Sequence, residues 1–504
     1  MASSYLPRQQ SLELPPFATV FSESISGVAI MDEAVKCAAR RRYQRRHPEL
    51  TLWYRTVQAH FETWLALSKA QFDESPHTYV IQAFRRYLEC GILAFGFARA
   101  RCKNCGHDFL VAFSCKGRGI CPSCNTRRMV ETAAHLVDHV FPPLPVRQWV
   151  LSVPKRLRYF LQRNAALQGA VLRILLRAVE HCLREHSPGC GTKARLGAVA
   201  FIQRFGSSLN EHVHFHCCII DGLFDSTTNT DGTVAFHPSS GLDDAAFRQV
   251  QAIVRRRILR LFVRRGLIDK ADGDEMAAQK HDGGFSLDAS ILIEADDRSG
   301  LERLLRYCAR PPFSLQNLHQ PDEGHLIYHI PKPHPGAPSD LVMTPLAMIG
   351  KIAALVPPPK WHLHRYYGVL APNSHLRAAV TALAPEAVIL ASTPQVSNAE
   401  ESHHRSLSHY LWSQLLARIY EVFPLICPIC HAEMQIIAFV TDASTIQKIL
   451  GHIGEPTQPP TISPARGPPL WETEIASEQV CSVPQWDMVA QAEPEFQYDQ
   501  RISW

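Results

Sequence analysis

Apolar positions recur at three- and four-residue steps near the start of the chain, where Leu52, Trp53, Val57, Phe61 and Leu65 mark one face of a helix. The spacing predicts helix over 32–67, interrupted at His47-Pro48, and helix again over 78–98. A cysteine-rich stretch at 102–124 encloses an apolar run, 109–113, that reads as a strand. Helix is expected over 127–141, closed by Pro142-Pro143. The period then alternates. Strands are expected at 148–153, 197–205, 211–220 and 285–293, and helices at 158–186, 245–265 and 300–309, the last stopped by Pro311-Pro312. Helical pieces follow Pro335, and a proline-rich stretch at 455–469 reads as a flexible linker or arm. No internal repeat stands out. Strands separated by helices predict an α+β fold, with a sheet carrying helices on one face.

These patterns divide the chain into a disordered leader (1–30), a helical and zinc-ribbon domain (31–135), a mixed sheet domain (145–335), a helical carboxy-terminal region (336–454) and a proline-rich tail (455–504). With 504 residues, 46% hydrophobic and 20% charged, the chain can bury a core and is not of the disordered class. Net charge is only +5, yet arginines cluster at 40–46, 155–158 and 255–265. Local patches of that kind neutralise phosphates while acidic segments hold the total down. The first thirty residues lack a signal-peptide pattern, and no run has the length of a membrane span. Fifteen cysteines without a secretion signal point to reduced thiols and metal.

Three groups of residues carry chemistry. In Asn210-Glu211-His212-Val213-His214-Phe215-His216, alternate side chains leave the same face of an extended strand. His212, His214 and His216 then point one way while Val213, Phe215 and Cys217 pack the other. Same-face neighbours are about 7 Å apart along the backbone, so two imidazoles can share a metal, whereas all three span about 13 Å and one is spare. Cys102-Lys-Asn-Cys105 and Cys121-Pro-Ser-Cys124, fifteen residues apart, have the spacing of a closed, structural zinc ribbon, with Cys115 and His107 in the loop able to substitute or simply to pack. Cys427-Pro-Ile-Cys430 is a half site that His431 and His452 could complete, or simply a stable turn. On the helix before Pro311, Tyr307 lies off the apolar stripe of Leu301, Leu304, Leu305 and Cys308, with Arg303 and Arg310 on its side. A phenol between guanidiniums suits a phosphodiester: the arginines hold phosphate oxygens and lower the phenol's pKa. A metal beside it would polarise the phosphate while the tyrosine attacks, leaving a 5′-phosphotyrosine and a free 3′-OH.

With these residues the chain resembles rolling-circle transposases of the insertion-sequence-91 family, within the HUH endonuclease superfamily. The blocks that carry the resemblance include 113–124, 148–159, 203–222, 284–313, 364–377 and 427–442. The resemblance implies a zinc-binding amino-terminal domain and a nuclease domain at 145–335 on a ferredoxin- or RRM-like antiparallel sheet. It implies Mg²⁺ or Mn²⁺ held by His214 and His216, with His212 and His214 as the other register and Gln203 on the preceding strand as a third ligand. Partners implied are single-stranded element ends and target DNA, with a homo-oligomer and no membrane, in the bacterial cytoplasm at the nucleoid. Relatives often carry a second tyrosine four residues after the first. Here that position is Pro311, as in the single-tyrosine branch of common-region elements. Tyr366-Tyr367 reads as structural or DNA-contacting. A plasmid replication initiator or relaxase shares the same chemistry, and a non-catalytic zinc-ribbon protein shares the cysteines. A zinc hydrolase of nucleotides is disfavoured, because the histidines enclose Phe215 rather than a glutamate.

Overall fold

The computed structural model describes residues 46–467, apart from 73–74, 227–233, 332, 334–337, 385–426, 428, 431 and 433. The expected leader at 1–30 and the end of the tail at 468–504 lie outside the described residues. In chain order the elements are helices α1 (Leu52–Phe72) and α2 (Thr78–Glu89), strands β1 (Phe97–Cys102) and β2 (Asp108–Ala112), helix α3 (Pro122–His139), strand β3 (Val146–Ser152), helices α4 (Lys155–Arg163) and α5 (Ala165–His186), and strands β4 (Gly197–Phe205), β5 (Glu211–Ile220), β6 (Gly222–Ser226) and β7 (Val234–Pro238). Helices α6 (Asp244–Arg264) and α7 (Lys270–Ala278), strands β8 (Ser286–Asp288) and β9 (Leu292–Ile293), helix α8 (Arg298–Cys308), and strands β10 (Leu318–His319), β11 (Leu326–His329) and β12 (Asp340–Met343) follow. Helix α9 (Pro345–Leu355), strand β13 (His364–Gly368), helix α10 (Arg377–Thr381), strand β14 (Met434–Val440) and helix α11 (Ala443–His452) complete the series. The result is α+β with antiparallel sheets.

The chain forms two compact units. One comprises Met1–Gln44, Cys102–His107 and Arg405–Gln435, and the other Arg45–Arg101, Asp108–His404 and Ile436–Trp504. The larger unit is built on a sheet of order β13-β4-β5-β3-β8, with β9 also on β3. All of these pairings are antiparallel. Taken in chain order, β3, helix, β4, β5, helix, β8 is a strand–helix–strand–strand–helix–strand unit whose strands lie in the spatial order 4-1-3-2. Strand β13 then extends the sheet past residue 335, so residues expected to be a separate helical region supply an edge of it. Gly368 ends that strand at φ 61°, where a Cβ would collide with the Leu196 carbonyl, so only glycine closes this edge.

Both faces of the sheet are covered, not one. Val213, Phe215, Cys217 and Ile219 of β5 join Trp149 and Leu151 of β3 and Ala198, Ala200 and Ile202 of β4 in a core under α4, α5 and α6. On the opposite face Val146, Val199, Phe201, Cys218 and Ile220 pack under Ala133, Leu136 and Val137 of α3 and Leu301, Leu304 and Leu305 of α8. Strand β5 is apolar on both sides from Cys217 onward because it is central and doubly covered.

Local chemistry explains where the boundaries differ from the periodicity. The helix expected over 78–98 stops at Glu89, before Gly91 and Gly96 at positive φ, and the chain turns into β1. The long helix expected over 158–186 is two, because Asn164 leaves the helical region and its side chain caps the Leu167 amide at 2.9 Å. The described part of the proline-rich stretch is not a free arm. The Ser463 amide donates to the Gln58 carbonyl at 3.0 Å, the Gln58 amide to the Thr461 carbonyl at 2.8 Å, and the Arg466 amide to the Thr63 hydroxyl at 3.0 Å, laying it along α1.

The start of β3 is tied to the end of β5 by an ion pair, Arg147 Nη2 to Asp221 Oδ2 at 2.8 Å, with 11% and 7% of the side chains exposed. Arg147 also donates to the Ala289 carbonyl at 3.1 Å, joining the residue that follows β8 to the same point. Asp221→Ala would leave a guanidinium buried without its counter-charge and is expected to destabilise the larger unit by about 3–5 kcal/mol. Denaturant unfolding followed by circular dichroism checks this; a loss near zero would mean that water reaches Arg147.

Candidate functional site

The histidines lie on the face of β5 that looks towards α8. Their rings stack in file, His212 to His214 at 5.0 Å and His214 to His216 at 4.9 Å between centroids. Glu211 is exposed, His212 and His214 are half-buried and His216 is buried. Among the described residues, the clusters of His, Cys, Asp and Glu ligand atoms are both cysteine groups, so the three imidazoles do not converge on one point. That agrees with a strand too long for a single ion to touch all three.

Hydrogen bonds decide the tautomer of His214. Its Nδ1 lies 3.2 Å from the His212 carbonyl, which can only accept, so Nδ1 carries the proton and Nε2 keeps a lone pair. His216 Nδ1 meets the Gln148 side-chain amide at 2.9 Å, and its Nε2 is buried with no hydrogen-bond partner. Gln203 stands directly across from His214 in the β4–β5 ladder. Its Nε2 donates to the carbonyls of Tyr307 at 3.1 Å and Cys308 at 3.0 Å. Those carbonyls belong to the last turn of α8, past its regular i-to-i+4 hydrogen bonds, and the Tyr307 carbonyl also accepts from the Arg310 amide at 3.4 Å. With the amide turned that way, Gln203 Oε1 is left buried and without a hydrogen-bond partner.

Helix α8 brings Tyr307 over this group. Asp297 caps the helix, accepting from the Gly300 amide at 2.7 Å, and the predicted stripe of Leu301, Leu304, Leu305 and Cys308 is buried. The Tyr307 ring meets His216 edge-on, 5.6 Å between centroids and 87° between planes. The two arginines expected to flank it part company. Arg310 lies 4.7 Å from the ring centre, whereas Arg303 turns to Asp297 at 3.8 Å and Ser299 at 3.2 Å. One helical turn brings Arg303 closer to the capping end than to the phenol. The net effect on the phenol is also opposite to the expected one. Burial raises its pKa above the ordinary value and outweighs the lowering by Arg310.

A cleft opens beside Tyr307 between β4, the end of α8 and the start of α3, lined by Gln203, Phe205, Arg118, Arg128, Arg204 and Arg310 among others. Arg204 is 6% exposed, stacks on Trp361 at 4.7 Å, and has no hydrogen bond at Nε or Nη1. Arg118 and Arg128 belong to the positive charge that the sequence places around the cysteine cluster, whereas Arg204 is not singled out by the sequence. The only available sign of Arg204 is its position inside the block at 203–222. Tyr366 and Tyr367 lie on β13 on opposite faces of the sheet, Tyr366 under Arg377 at 5.0 Å.

The cysteines do not form the expected site. Cys121 and Cys124, at the start of α3, gather with Cys90 and Cys115: Cys90 to Cys124 is 3.7 Å, Cys115 to Cys124 3.5 Å and Cys121 to Cys90 3.7 Å. Cys102 and Cys105 gather instead with Cys430 and Cys427, each at 3.4 Å. In both groups the sulfurs lie within 4.8 Å of one another. The cause is the β1–β2 hairpin: Cys102 ends the outgoing strand and Cys115 follows the returning one, so a ladder of five residue pairs lies between them. His107 and His452 belong to neither group, and His431 lies outside the described residues.

Comparison with known families now bears on this geometry. Residues 197–377, which hold β4, β5, the histidines and α8, match the transposase family Y2_Tnp. Residues 56–153 match the transposase zinc-binding domain of the insertion-sequence-91 type. The chain belongs to the insertion-sequence-91 family of transposases. No curated protein and no solved structure matches it. The transposase is thus a DNA-processing enzyme with structural zinc, its zinc-binding domain containing Cys90, Cys115, Cys121 and Cys124. None of its described helices is long and apolar enough to cross a membrane.

Burial keeps the site's imidazoles neutral. It holds His214 down to about 4 and His216 well below the ordinary 6.5, with Arg310 adding to both. The folded pKa values are below the unfolded ones, so between them the unfolded chain binds more protons and stability falls as pH drops. In buffer free of divalent cations, the ring resonances of His214 and His216 should stay unprotonated from about pH 7.5 to about 5.5, where an ordinary histidine titrates. Titration of His214 with a midpoint near 6.5 would show that water enters this face freely.

Proposed function

We propose that this transposase nicks one strand of DNA with Tyr307 and rejoins it, in rolling-circle transposition of an insertion sequence. The observation that carries the reading is Tyr307 edge-on to His216, above a face where His214 Nε2 keeps a lone pair and His216 Nε2 and Gln203 Oε1 are buried without a hydrogen-bond partner. The 4-1-3-2 antiparallel order supports a ferredoxin-like nuclease domain of the HUH type. Neutral imidazole and amide donors without a carboxylate suit a borderline divalent ion such as Mn²⁺ better than Mg²⁺, which prefers oxygen. His214 already has the ligand tautomer; Gln148 Nε2 faces His216 Nδ1 at 2.9 Å, so His216 would offer Nε2 to a cation with the Gln148 amide turned over and its carbonyl accepting from Nδ1–H. A cation held there would polarise the scissile phosphate. His212 is then the spare imidazole.

In the nicking step the Tyr307 oxygen bonds to phosphorus, the bond from phosphorus to the 3′ oxygen breaks, and the departing oxygen takes up a proton. The product is a 5′-phosphotyrosine and a free 3′-OH. The raised pKa of Tyr307 keeps the phenol protonated at rest, and Arg310 beside the ring favours the anion as it forms. Arg204 and Arg310 hold the DNA backbone in the cleft, and single-stranded element ends enter it because flexible strands follow such a groove with their phosphates. Because Pro311 stands where a second tyrosine would be, resolution uses a second subunit or the freed 3′-OH. Cys90, Cys115, Cys121 and Cys124 hold the structural zinc of the amino-terminal domain. The protein works in the cytoplasm, on nucleoid DNA.

Incubation with single-stranded oligonucleotides carrying element ends, with Mn²⁺, should give a covalent adduct that maps to Tyr307. Tyr307→Phe removes only the phenolic oxygen, so the fold should persist while nicking falls by several orders of magnitude. DNA attached at Tyr366 or Tyr367 would overturn the assignment, and binding without any adduct would favour a non-catalytic DNA-binding protein.

His214→Ala should abolish nicking and leave single-strand affinity within a few fold, since phosphate contacts by arginines carry most of the affinity. Nicking at the wild-type rate with Mn²⁺ would make the histidine strand structural.

A further inference from the structure

The second cysteine group falls outside the amino-terminal zinc-binding domain at two of its four members, Cys427 and Cys430. We infer that Cys102, Cys105, Cys427 and Cys430 form a second zinc site, a tetrathiolate clasp between the tip of the β1–β2 hairpin and a segment 322 or more residues away in the chain.

The sulfur geometry is that of metal ligands. A zinc ion with Zn–S bonds of about 2.3 Å in a tetrahedron sets its sulfurs about 3.8 Å apart. The cross-pair distances of 3.4 Å and the outer limit of 4.8 Å bracket that edge. A disulfide needs about 2.05 Å, and every one of these cysteines is free. Apolar burial does not gather them either, because Cys105 is exposed and Cys430 half-exposed. Cys102 and Cys427 are buried while their partners reach solvent, so burial alone does not gather all four thiols, and a shared divalent cation supplies the attraction.

The backbone around each pair is shaped for the same purpose. Between Cys102 and Cys105 the chain turns tightly, with the Gly106 amide donating to the Cys102 carbonyl at 3.0 Å and Gly106 at φ 73°. The Cys102 amide in turn donates to the His107 carbonyl at 2.8 Å. In the distant segment the Ile429 amide points at Cys427 Sγ, 3.5 Å away, and the Cys427 amide donates to the Ala432 carbonyl at 2.8 Å. Each Cys-x-x-Cys turn therefore presents two sulfurs on one side, and the two turns close the tetrahedron. Both turns lie in the same compact unit of the chain.

The site does not depend on the nicking role of Tyr307, and its test is separate. The purified full-length protein should contain two zinc ions per chain. Alkylation of the native protein followed by peptide mapping should find Cys102, Cys105, Cys427 and Cys430 protected together, and exposed together by a chelator. Cys427→Ser with Cys430→Ser should lower zinc from two ions to one, leaving Cys90 and Cys121 protected. The inference is overturned by one zinc per chain with Cys427 and Cys430 alkylated equally fast with and without chelator. A disulfide joining either of them to Cys102 or Cys105 in freshly purified protein overturns it too. The alkylation pattern uses the unaltered chain, so it decides the matter even if the double variant fails to fold.

Discussion

The side-chain amide of Gln203 links the strands to the helix that carries the tyrosine. Its nitrogen caps the carbonyls of Tyr307 and Cys308 from strand β4, and its oxygen is thereby directed into a buried space with no hydrogen-bond partner. A carbonyl can only accept, so the amide has one workable orientation. The last turn of α8 is held against the sheet at the level of His214, its cross-strand neighbour. An apolar residue at 203 would remove the side-chain donor from both helix-end carbonyls and leave the Tyr307 carbonyl with the Arg310 amide at 3.4 Å, at a cost of about 1–3 kcal/mol where a buried carbonyl goes unpaired. The placement of the phenol and the unpaired buried oxygen beside His214 thus depend on the same side chain.

Burial sets the chemistry of the surrounding groups in a consistent direction. It lowers the pKa of His214 and His216, which keeps them neutral and able to bind a cation, and it raises the pKa of Tyr307, which keeps it protonated at rest. The arginines follow a different logic. Arg303 is drawn to the capping Asp297, while Arg310, beyond the end of the helix, reaches the ring and lines the cleft. Positive charge therefore concentrates on the cleft side of the tyrosine. Arg204, deeply buried with unused donors, belongs to the same side.

The cysteines illustrate how strand geometry overrides sequence spacing. Two Cys-x-x-Cys pairs separated by a short loop would share an ion if the loop merely returned on itself. Here the intervening residues form an extended hairpin, and each pair finds other partners: Cys90 and Cys115 for one, Cys427 and Cys430 for the other. The carboxy-terminal segment also adds β14 to β1, so hydrogen bonds and sulfurs draw it to the same hairpin.

Period and residue type alone determined the α+β class, the β5 strand with its histidines on one face, and helix α8 with Tyr307 beside its apolar stripe. These are short-range properties: side-chain alternation on a strand and the 3.6-residue turn need only neighbours in sequence. The family resemblance rested on the same local blocks. What faces those elements was decided by tertiary structure. No local pattern in the chain says that α3 and α8 cover the histidine face, that β13 joins the sheet from beyond residue 335, or that Arg303 turns away while Arg204 turns in. Nor does spacing reveal that Cys102 meets Cys430 across 328 residues. Pairings of that kind depend on which surfaces remain to be covered once the local elements have formed, and that is a property of the whole packed chain.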